Sequence, residues 1–215
     1  MEISKEIAKG LQLGQEEIDL ATLIGLLHDI ARFEQYTQFK TYKDLESFDH
    51  GDFGAQILGK DIRNYIETPQ FDDIIIKAVK NHNKYKIEDG LTETEELYAK
   101  IIRDADKIDI FYESVEMFWK GKEHEVESSK ISEYVIQQIK DKSQIKRKLE
   151  ESPVDNIIKV IAFIFDINFK TSFEIIKKED YINKILNRYN FKDENTKKQI
   201  EAIRKIANEY IDRQI

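Results

Sequence analysis

The chain has 215 residues, 40% of them hydrophobic and 35% charged, which is enough to form a packed core with a solvated surface. It contains no cysteine, and this excludes disulfides, thiolate nucleophiles and the soft ligands of structural zinc sites. Its formal net charge of −8 gives no general attraction to duplex nucleic acid. No apolar run reaches the ~20 residues that cross a bilayer, and the first residues resemble neither a signal nor a transit peptide. We therefore expect a cytoplasmic protein that binds neither membranes nor duplex nucleic acid.

Helix-forming residues are abundant, and only two prolines and eight glycines interrupt them, which favours an all-α fold. The length fits one large helical domain or a main domain with a helical appendage. We predict a helical core over residues 1–120 and a helical extension over residues 121–215 that packs on it. A single continuous domain is the alternative.

The first strong helical pattern covers residues 16–30 and is apolar almost all round, which predicts a buried helix. This helix ends in His28-Asp29. Two polar side chains at the end of a buried helix cost several kcal/mol if they have no partner. A metal ion would serve both, and a neighbouring carboxylate paired with the histidine is the alternative.

The next segments predict two further helices, each carrying a histidine. Residues 34–49 have no clear period and suggest a loop or a short irregular helix over the end of the first one. A helix is predicted from His50 to about residue 66, before the break at Thr68-Pro69. Over residues 70–83 the apolar positions recur at helical spacing, and His82 continues this stripe, so it should face inward.

A fourth predicted helix, residues 96–119, carries three acids close together, at Asp104, Asp106 and Asp109. Residues 84–95 before it suggest a loop. Residues 128–215 show helical patterns with breaks near Ser152-Pro153 and around residues 190–193, but no catalytic constellation. The fourth histidine, His124, lies in a charged stretch and should be an ordinary exposed side chain.

His28, His50 and His82 therefore lie on three successive helical segments, and a helix with clustered acids follows them. Imidazole nitrogen and carboxylate oxygen together suit Mn, Fe, Co, Ni, Zn or Mg. An ion held this way can activate water and offset charge on phosphate oxygens. This combination predicts a divalent metal ion as cofactor and a hydrolase active site.

Four motifs in this order resemble the HD-domain superfamily of metal-dependent phosphohydrolases, most closely its bacterial hydrolase branch. They are LLHDIARFEQ (residues 26–35), SFDHGDFGA (47–55), HNK (82–84) and DADKID (104–109). The resemblance covers residues 1 to about 115 and continues weakly beyond. It implies an all-α bundle of HD-domain type with additional C-terminal helices.

The resemblance also implies a ligand set. His28 and Asp29 match the family's His-Asp pair, and Asp106 matches its last aspartate better than Asp104 does. Helical periodicity leaves both acids open, since each lies on an apolar face of its helix. In members with additional histidines, those that match His50 and His82 hold a second metal or contact the substrate phosphate. Asn83 stands where the double-histidine version has its second histidine, so a complete two-metal site is not implied.

One family ligand has no match in this sequence. The family's first histidine precedes the His-Asp pair by about one helix, and its equivalent would lie upstream of Met1. We expect either a start further upstream or water in that coordination position. Either way, the chain should bind metal more weakly than a version extended to include that histidine.

The predicted activity is hydrolysis of a phosphomonoester or phosphoanhydride in a nucleotide or related small phosphorylated metabolite. Asp29 or Asp106 would orient the attacking water, and His50 or His82 would bind phosphate or protonate the leaving oxygen. The cations that flank the motifs and could contact phosphate are Arg32, Lys84 and Lys107. A catalytically weak or inactive nucleotide-binding or regulatory module is the alternative, and a purely structural helical domain is a third possibility. Substrate identity and oligomeric state are left open.

Overall fold

A computed structural model describes residues 1–117, 119–146 and 151–215, and over these residues it contains helices and no strand. This confirms the all-α prediction. The α-helices, in chain order, are α1 (Glu2–Gly10), α2 (Gln15–Leu27), α3 (Ala31–Phe39), α4 (His50–Asp61), α5 (Asp72–Asn81), α6 (Glu93–Glu116), α7 (Glu123–Ser128), α8 (Glu133–Lys140), α9 (Pro153–Ala162), α10 (Lys170–Lys178), α11 (Tyr181–Asn187) and α12 (Glu194–Asp212).

The chain forms two compact units, Met1–Asp106 and Lys107–Ile215. In the first unit α1 packs on α2, α4 packs on both α3 and α5, and α5 also contacts α2. The fully buried side chains at its centre include Ile7, Ile24, Leu58, Ile75, Val79 and Ile102. The predicted division at residue 120 stays a prediction, because compactness alone does not define a folding domain.

The helix boundaries in the first unit follow local capping chemistry. The Asp49 side chain accepts a hydrogen bond from the Asp52 N–H at 2.9 Å and begins α4 directly at His50. At the start of α6, the Thr92 N–H donates to Glu95 while the Thr92 hydroxyl accepts from the Glu95 N–H. Buried Ile75, Val79 and His82 confirm the predicted inward stripe of α5.

Residues 34–49 were predicted as a loop or a short irregular helix, and their first part, residues 34–39, instead belongs to a regular helix, α3 (Ala31–Phe39). The only buried residues of α3 are Ala31 and Gln35, so it lacks the apolar stripe that would reveal it in the sequence. The helix ends where Lys40 adopts a left-handed conformation (φ 56°). The chain then turns back into a short 3₁₀ turn, Asp44–Glu46.

The second unit is built around α9. Ser152 caps α9 and Asp193 caps α12, which confirms both predicted breaks. Asp155, with no exposed surface, accepts hydrogen bonds from the Ser132 N–H (2.8 Å) and hydroxyl (2.6 Å), and so ties the start of α8 to α9. The apolar core of the second unit includes Ile157, Ile158, Ile161, Ile185, Ile200 and Ile203. His124 is exposed, as predicted.

Replacing Gly51 with alanine should lower the free energy of unfolding by about 1–3 kcal/mol, the usual effect of overpacking. A Cβ there would lie 3.0 Å from the Lys80 carbonyl oxygen and clash with the Asn83 side chain, which would push α4 away from α5. Gly59→Ala, on the same helix, meets nothing within 4 Å and should stabilise by about 0.5–1 kcal/mol. Urea unfolding followed by circular dichroism distinguishes the two. A Gly51→Ala protein as stable as wild type would show that this close approach is unimportant.

Candidate metal centre

The first unit brings helix ends that carry the histidines to one place. His28 and Asp29 follow the end of α2, His50 is the first residue of α4, and His82 follows the end of α5. Asp106 lies within α6. Helix ends suit this purpose, because a side chain there can project from the buried face without interrupting the helix.

Asp29, His50 and His82 form a compact cluster with spacing suited to a cation. Asp29 Oδ1 lies 3.5 Å from His50 Nε2 and 3.6 Å from His82 Nε2, and the two nitrogens lie 2.9 Å apart. Ligands about 2.1 Å from one ion are separated by about 3.0–3.4 Å in octahedral or tetrahedral geometry. The three atoms could therefore coordinate one ion with only small movements.

A second cluster shares Asp29. His28 Nε2 lies 3.7 Å from Asp29 Oδ2 and 3.7 Å from Asp106 Oδ1. These separations are too long for hydrogen bonds and close to those between ligands of one ion. Asp29 thus directs Oδ1 towards His50 and His82 and Oδ2 towards His28. Among the described residues, the set whose three ligand atoms all lie within 4.8 Å of one another is Asp29, His50 and His82.

The contacts of Nδ1 decide which ring nitrogen keeps its lone pair when the three imidazoles are neutral. His28 Nδ1 lies 3.1 Å from the Gly25 carbonyl oxygen, and His82 Nδ1 lies 2.6 Å from that of Val79. A carbonyl only accepts, so both Nδ1 atoms carry the hydrogen. His50 Nδ1 lies 2.7 Å from Asp44 Oδ2, which likewise accepts. In a neutral ring Nε2 then keeps its lone pair, the atom that binds a metal.

Two lone pairs facing each other at 2.9 Å, as on His50 and His82, repel unless a proton or a cation lies between them. The Asp29 carboxylate completes the set on one side, and its negative charge favours the cation. The donor chemistry therefore fits a divalent ion bound by nitrogen and oxygen.

The acids of the centre are held in their ionised form. Burial alone would raise the pKa of Asp29, but the imidazoles of His82 and His28 and the Arg32 guanidinium outweigh it and hold this pKa well below its usual value. The pKa of Asp106 is lowered too, since His28 and His82 outweigh its burial. For His28 burial alone would lower the pKa, but Asp106 and Asp29 outweigh it and raise the pKa. The centre concentrates negative charge where a cation would bind.

Comparison with known proteins agrees with this geometry. A family model described as HD domain matches residues 1–110, just over half of the chain. The chain belongs to the HD-domain family. Searches of curated proteins and of solved structures found no match. Members of the HD-domain family are in general metal-dependent phosphohydrolases, and the match covers every residue of the two clusters.

The two candidate aspartates of the HD-domain helix α6 lie in different surroundings. Asp106 faces His28, whereas Asp104 has no exposed surface. Residues two apart on a helix point to nearly opposite sides, so both cannot enter one coordination sphere. The choice of Asp106 over Asp104 as a metal ligand, which the resemblance implied, stays a prediction.

The three predicted phosphate-binding cations all have carboxylate partners. Arg32 Nε lies 3.3 Å from Asp29 Oδ1, and Lys84 Nζ lies 2.8 Å from both Asp49 and Asp52. Lys107 belongs to the second unit, where its ammonium lies 2.8 Å from Asp166. A phosphate contact by any of them requires exchange of an ion pair, and this role stays a prediction.

The sequence reasoning missed a polar network beside the HD-domain clusters. Asp44 accepts from His50, Gln35, Arg32 and Asn83, and Gln35 is buried although its side chain is an amide. These donors outweigh the partial burial that would raise the pKa of Asp44, and they lower it. The burial of Gln35 leaves no local pattern in the sequence, because the acceptors of its amide nitrogen lie 9–13 residues away. From the motif SFDHGDFGA the sequence analysis singled out only His50.

Across the residues that the structure describes, none of the helices combines the length and the apolarity needed to cross a bilayer.

Proposed function

We infer that this HD-domain protein is a metal-dependent phosphohydrolase that acts on a phosphomonoester or phosphoanhydride of a nucleotide or related small phosphorylated metabolite. The observation that carries this proposal is the shared carboxylate: Asp29 faces His50 and His82 with one oxygen and His28 with the other. Two adjacent cation positions are the arrangement that phosphoryl transfer to water commonly uses.

Each residue of the two clusters has a proposed role in binding cations or orienting water. His28, Asp29 and Asp106 would hold one cation, and Asp29, His50 and His82 a second. A bound divalent cation supplies Lewis acidity, which activates water and offsets charge on phosphoryl oxygens. In the tautomer set by Asp44 and Val79, the Nε2 atoms of His50 and His82 carry no proton, which favours cation binding over protonation of the leaving group. Asp29 or Asp106 would orient the attacking water.

Phosphate release tests the proposal. Purified protein, stripped of metal and resupplied with Mn²⁺, Co²⁺, Ni²⁺ or Mg²⁺, should release phosphate from at least one member of a panel of nucleotides and sugar phosphates. Chelation should remove that activity, and metal should restore it. Metal and nucleotide binding without phosphate release from any panel member would favour the alternative, a regulatory nucleotide-binding module.

An exposed aromatic pair supports a nucleotide as substrate. Tyr36 and Tyr42 stack at 5.0 Å with an interplanar angle of 19°, and Tyr42 is 59% exposed. The Lys40 ammonium lies over the Tyr36 ring, so Tyr42 offers the more open face. Arg32 donates to the Tyr42 carbonyl oxygen at 2.7 Å and also contacts Asp29, so a single guanidinium separates this backbone from the shared carboxylate. A base could stack on Tyr42 while the phosphate reaches the cations.

Tyr42→Ala should raise the KM for a nucleoside monophosphate by about 5- to 150-fold, since stacking of a base on an aromatic ring contributes about 1–3 kcal/mol. The KM for ribose 5-phosphate, which has no base, should change little. Tyr65→Ala, which removes another exposed ring (42% exposed) beyond the far end of α4, is the control. Equal losses on both substrates in the Tyr42 variant would contradict base stacking without affecting the metal centre.

A further inference from the structure

We propose that Asp44 is a positioning residue: it fixes the ring of His50 so that Nε2 faces Asp29 and His82 as a lone pair. Asp44 lies outside all four sequence motifs, in the short 3₁₀ turn between α3 and α4. The inference rests on the proposed metal-binding function, but its first test needs no metal.

The direct contact is short and paired. His50 Nδ1 lies 2.7 Å from Asp44 Oδ2 and 2.9 Å from Oδ1, so both carboxylate oxygens are within hydrogen-bond distance of the ring nitrogen. Nε2 of the same ring lies 2.9 Å from His82 Nε2 and 3.5 Å from Asp29 Oδ1. The His50 ring thus contacts the Asp44 carboxylate through Nδ1 and faces the proposed cation position through Nε2. This order is the one in which an outer acceptor fixes a ligating imidazole and raises its basicity.

Asp44 is itself held by donors from α3 and from the residue after His82. Gln35 Nε2 donates to Oδ1 at 2.9 Å, and Arg32 Nη1 approaches the same oxygen at 3.3 Å. Asn83 Nδ2 approaches Oδ2 at 3.2 Å and also lies 3.3 Å from His50 Nδ1, a longer contact than the 2.7 Å from that nitrogen to Asp44. Both oxygens therefore face donors, and only a carboxylate can accept on both sides.

This network explains the fully buried side chain of Gln35. Its amide nitrogen also reaches Ser47 Oγ at 2.8 Å, and its amide oxygen accepts from Arg32 at 2.9 Å. A buried amide with these partners costs little free energy, whereas the same amide without them would destabilise the fold. Gln35 and Arg32 thus anchor the turn after α3 at the place where Asp44 reaches His50.

Asn83 replaces the second histidine of the family's double-histidine version, and the network gives this replacement a local role. Its amide also donates to Asp49 Oδ1 at 3.0 Å, so it links the Asp44 turn to the cap of α4. The polar contacts around His50 thus join three parts of the chain.

Asp44→Asn is the sharpest variant, because an amide has nearly the same shape but one side becomes a donor. If the NH₂ faces His50, the ring must accept at Nδ1 and carry its proton on Nε2, where it blocks cation binding. If the NH₂ faces Gln35 and Arg32, three donors meet without an acceptor and the turn should shift. Asp44→Ala removes the acceptor altogether. Glu46→Gln, a neutralisation in the same turn whose carboxylate contacts Lys43 and Thr41, is the control.

The first measurement is the His50 tautomer in metal-free wild-type protein, from the nitrogen chemical shifts of ¹⁵N-histidine-labelled samples. We expect the Nδ1–H form, and a wild-type Nε2–H form would overturn the proposal without any variant. The second is Mn²⁺ titration by calorimetry. Asp44→Asn and Asp44→Ala should weaken binding by about 10- to 100-fold, as for other outer partners of metal ligands. Glu46→Gln should match wild type.

The possible failures are distinguishable. Retention of both the Nδ1–H tautomer and wild-type Mn²⁺ affinity in the folded Asp44 variants would overturn the positioning role. Absence of Mn²⁺ binding in wild type would instead contradict the proposed function. Circular dichroism of each variant establishes that the folded protein is being compared.

Discussion

Asp29→Asn should reduce phosphate release by more than about 100-fold, beyond the 10- to 100-fold loss typical of residues that only support a ligand. Asp29 is the one residue shared by the two clusters, and its separate oxygens face His28 and the His50–His82 pair. The amide keeps one oxygen and no charge, so both clusters lose the negative charge of Asp29 and one of them also loses its oxygen ligand. Metal content after dialysis should fall in parallel, as measured by inductively coupled plasma mass spectrometry.

The matched control for this variant is Asp19→Asn. Asp19 is an exposed acid on α2, the helix that leads to the centre, and its carboxylate accepts from Gln15 two turns from His28. It should keep wild-type turnover and metal content. Asp29→Asn protein that held as much metal and turned over within about threefold of wild type would contradict the bridging role; threefold corresponds to only ~0.6 kcal/mol.

His82→Ala should reduce turnover far more than it reduces stability. We expect a loss of at least about 10-fold in turnover, as for lost metal contacts. The change in unfolding free energy of the metal-free protein should stay within about 0.5–3 kcal/mol, the usual range for a point substitution. His82 is buried, but its Nε2 faces another imidazole rather than a protein donor, so removing the ring also removes a repulsive contact.

Ile75→Val is the control that distinguishes a metal-binding role of His82 from a purely structural one. Ile75 is fully buried on the same helix, and the shorter side chain should cost about 0.5–1.5 kcal/mol of stability. The folded Ile75→Val protein should bind and turn over as wild type does. If the His82→Ala protein loses turnover only in proportion to the fraction of protein that is unfolded, as measured by urea unfolding, a core histidine is favoured.

Periodicity sufficed where burial is continuous along a helix. The apolar stripe of α5 is sufficient to predict that His82 faces inward, because each apolar residue of the stripe fixes the rotation of the helix against the core. The same logic predicted α2 as a buried helix, although its helical end lies at Leu27 and His28 already caps it. Ligands at helix ends are thus predictable from the faces of the helices that carry them.

Periodicity failed where a polar group is buried by long-range pairing. Helix α3 has no apolar stripe, and its central Gln35 is satisfied by Asp44, Ser47 and Phe48 beyond the helix end. For Asp104 and Asp106 the period could not choose, since both faces of α6 are apolar and both acids are withdrawn from solvent to some degree. The resemblance to the HD-domain superfamily, and not the period, pointed to Asp106.

Anomalous diffraction from crystals soaked in Mn²⁺ tests the central claim most directly, because it locates ions independently of any activity. We expect one peak among Asp29 Oδ1, His50 Nε2 and His82 Nε2, and a second among His28 Nε2, Asp29 Oδ2 and Asp106 Oδ1, with ligand distances of about 2.0–2.3 Å. Occupancy of either position by Mn²⁺ would support a metal centre at Asp29. Crystals that bind Mn²⁺ only elsewhere, or not at all, would contradict it.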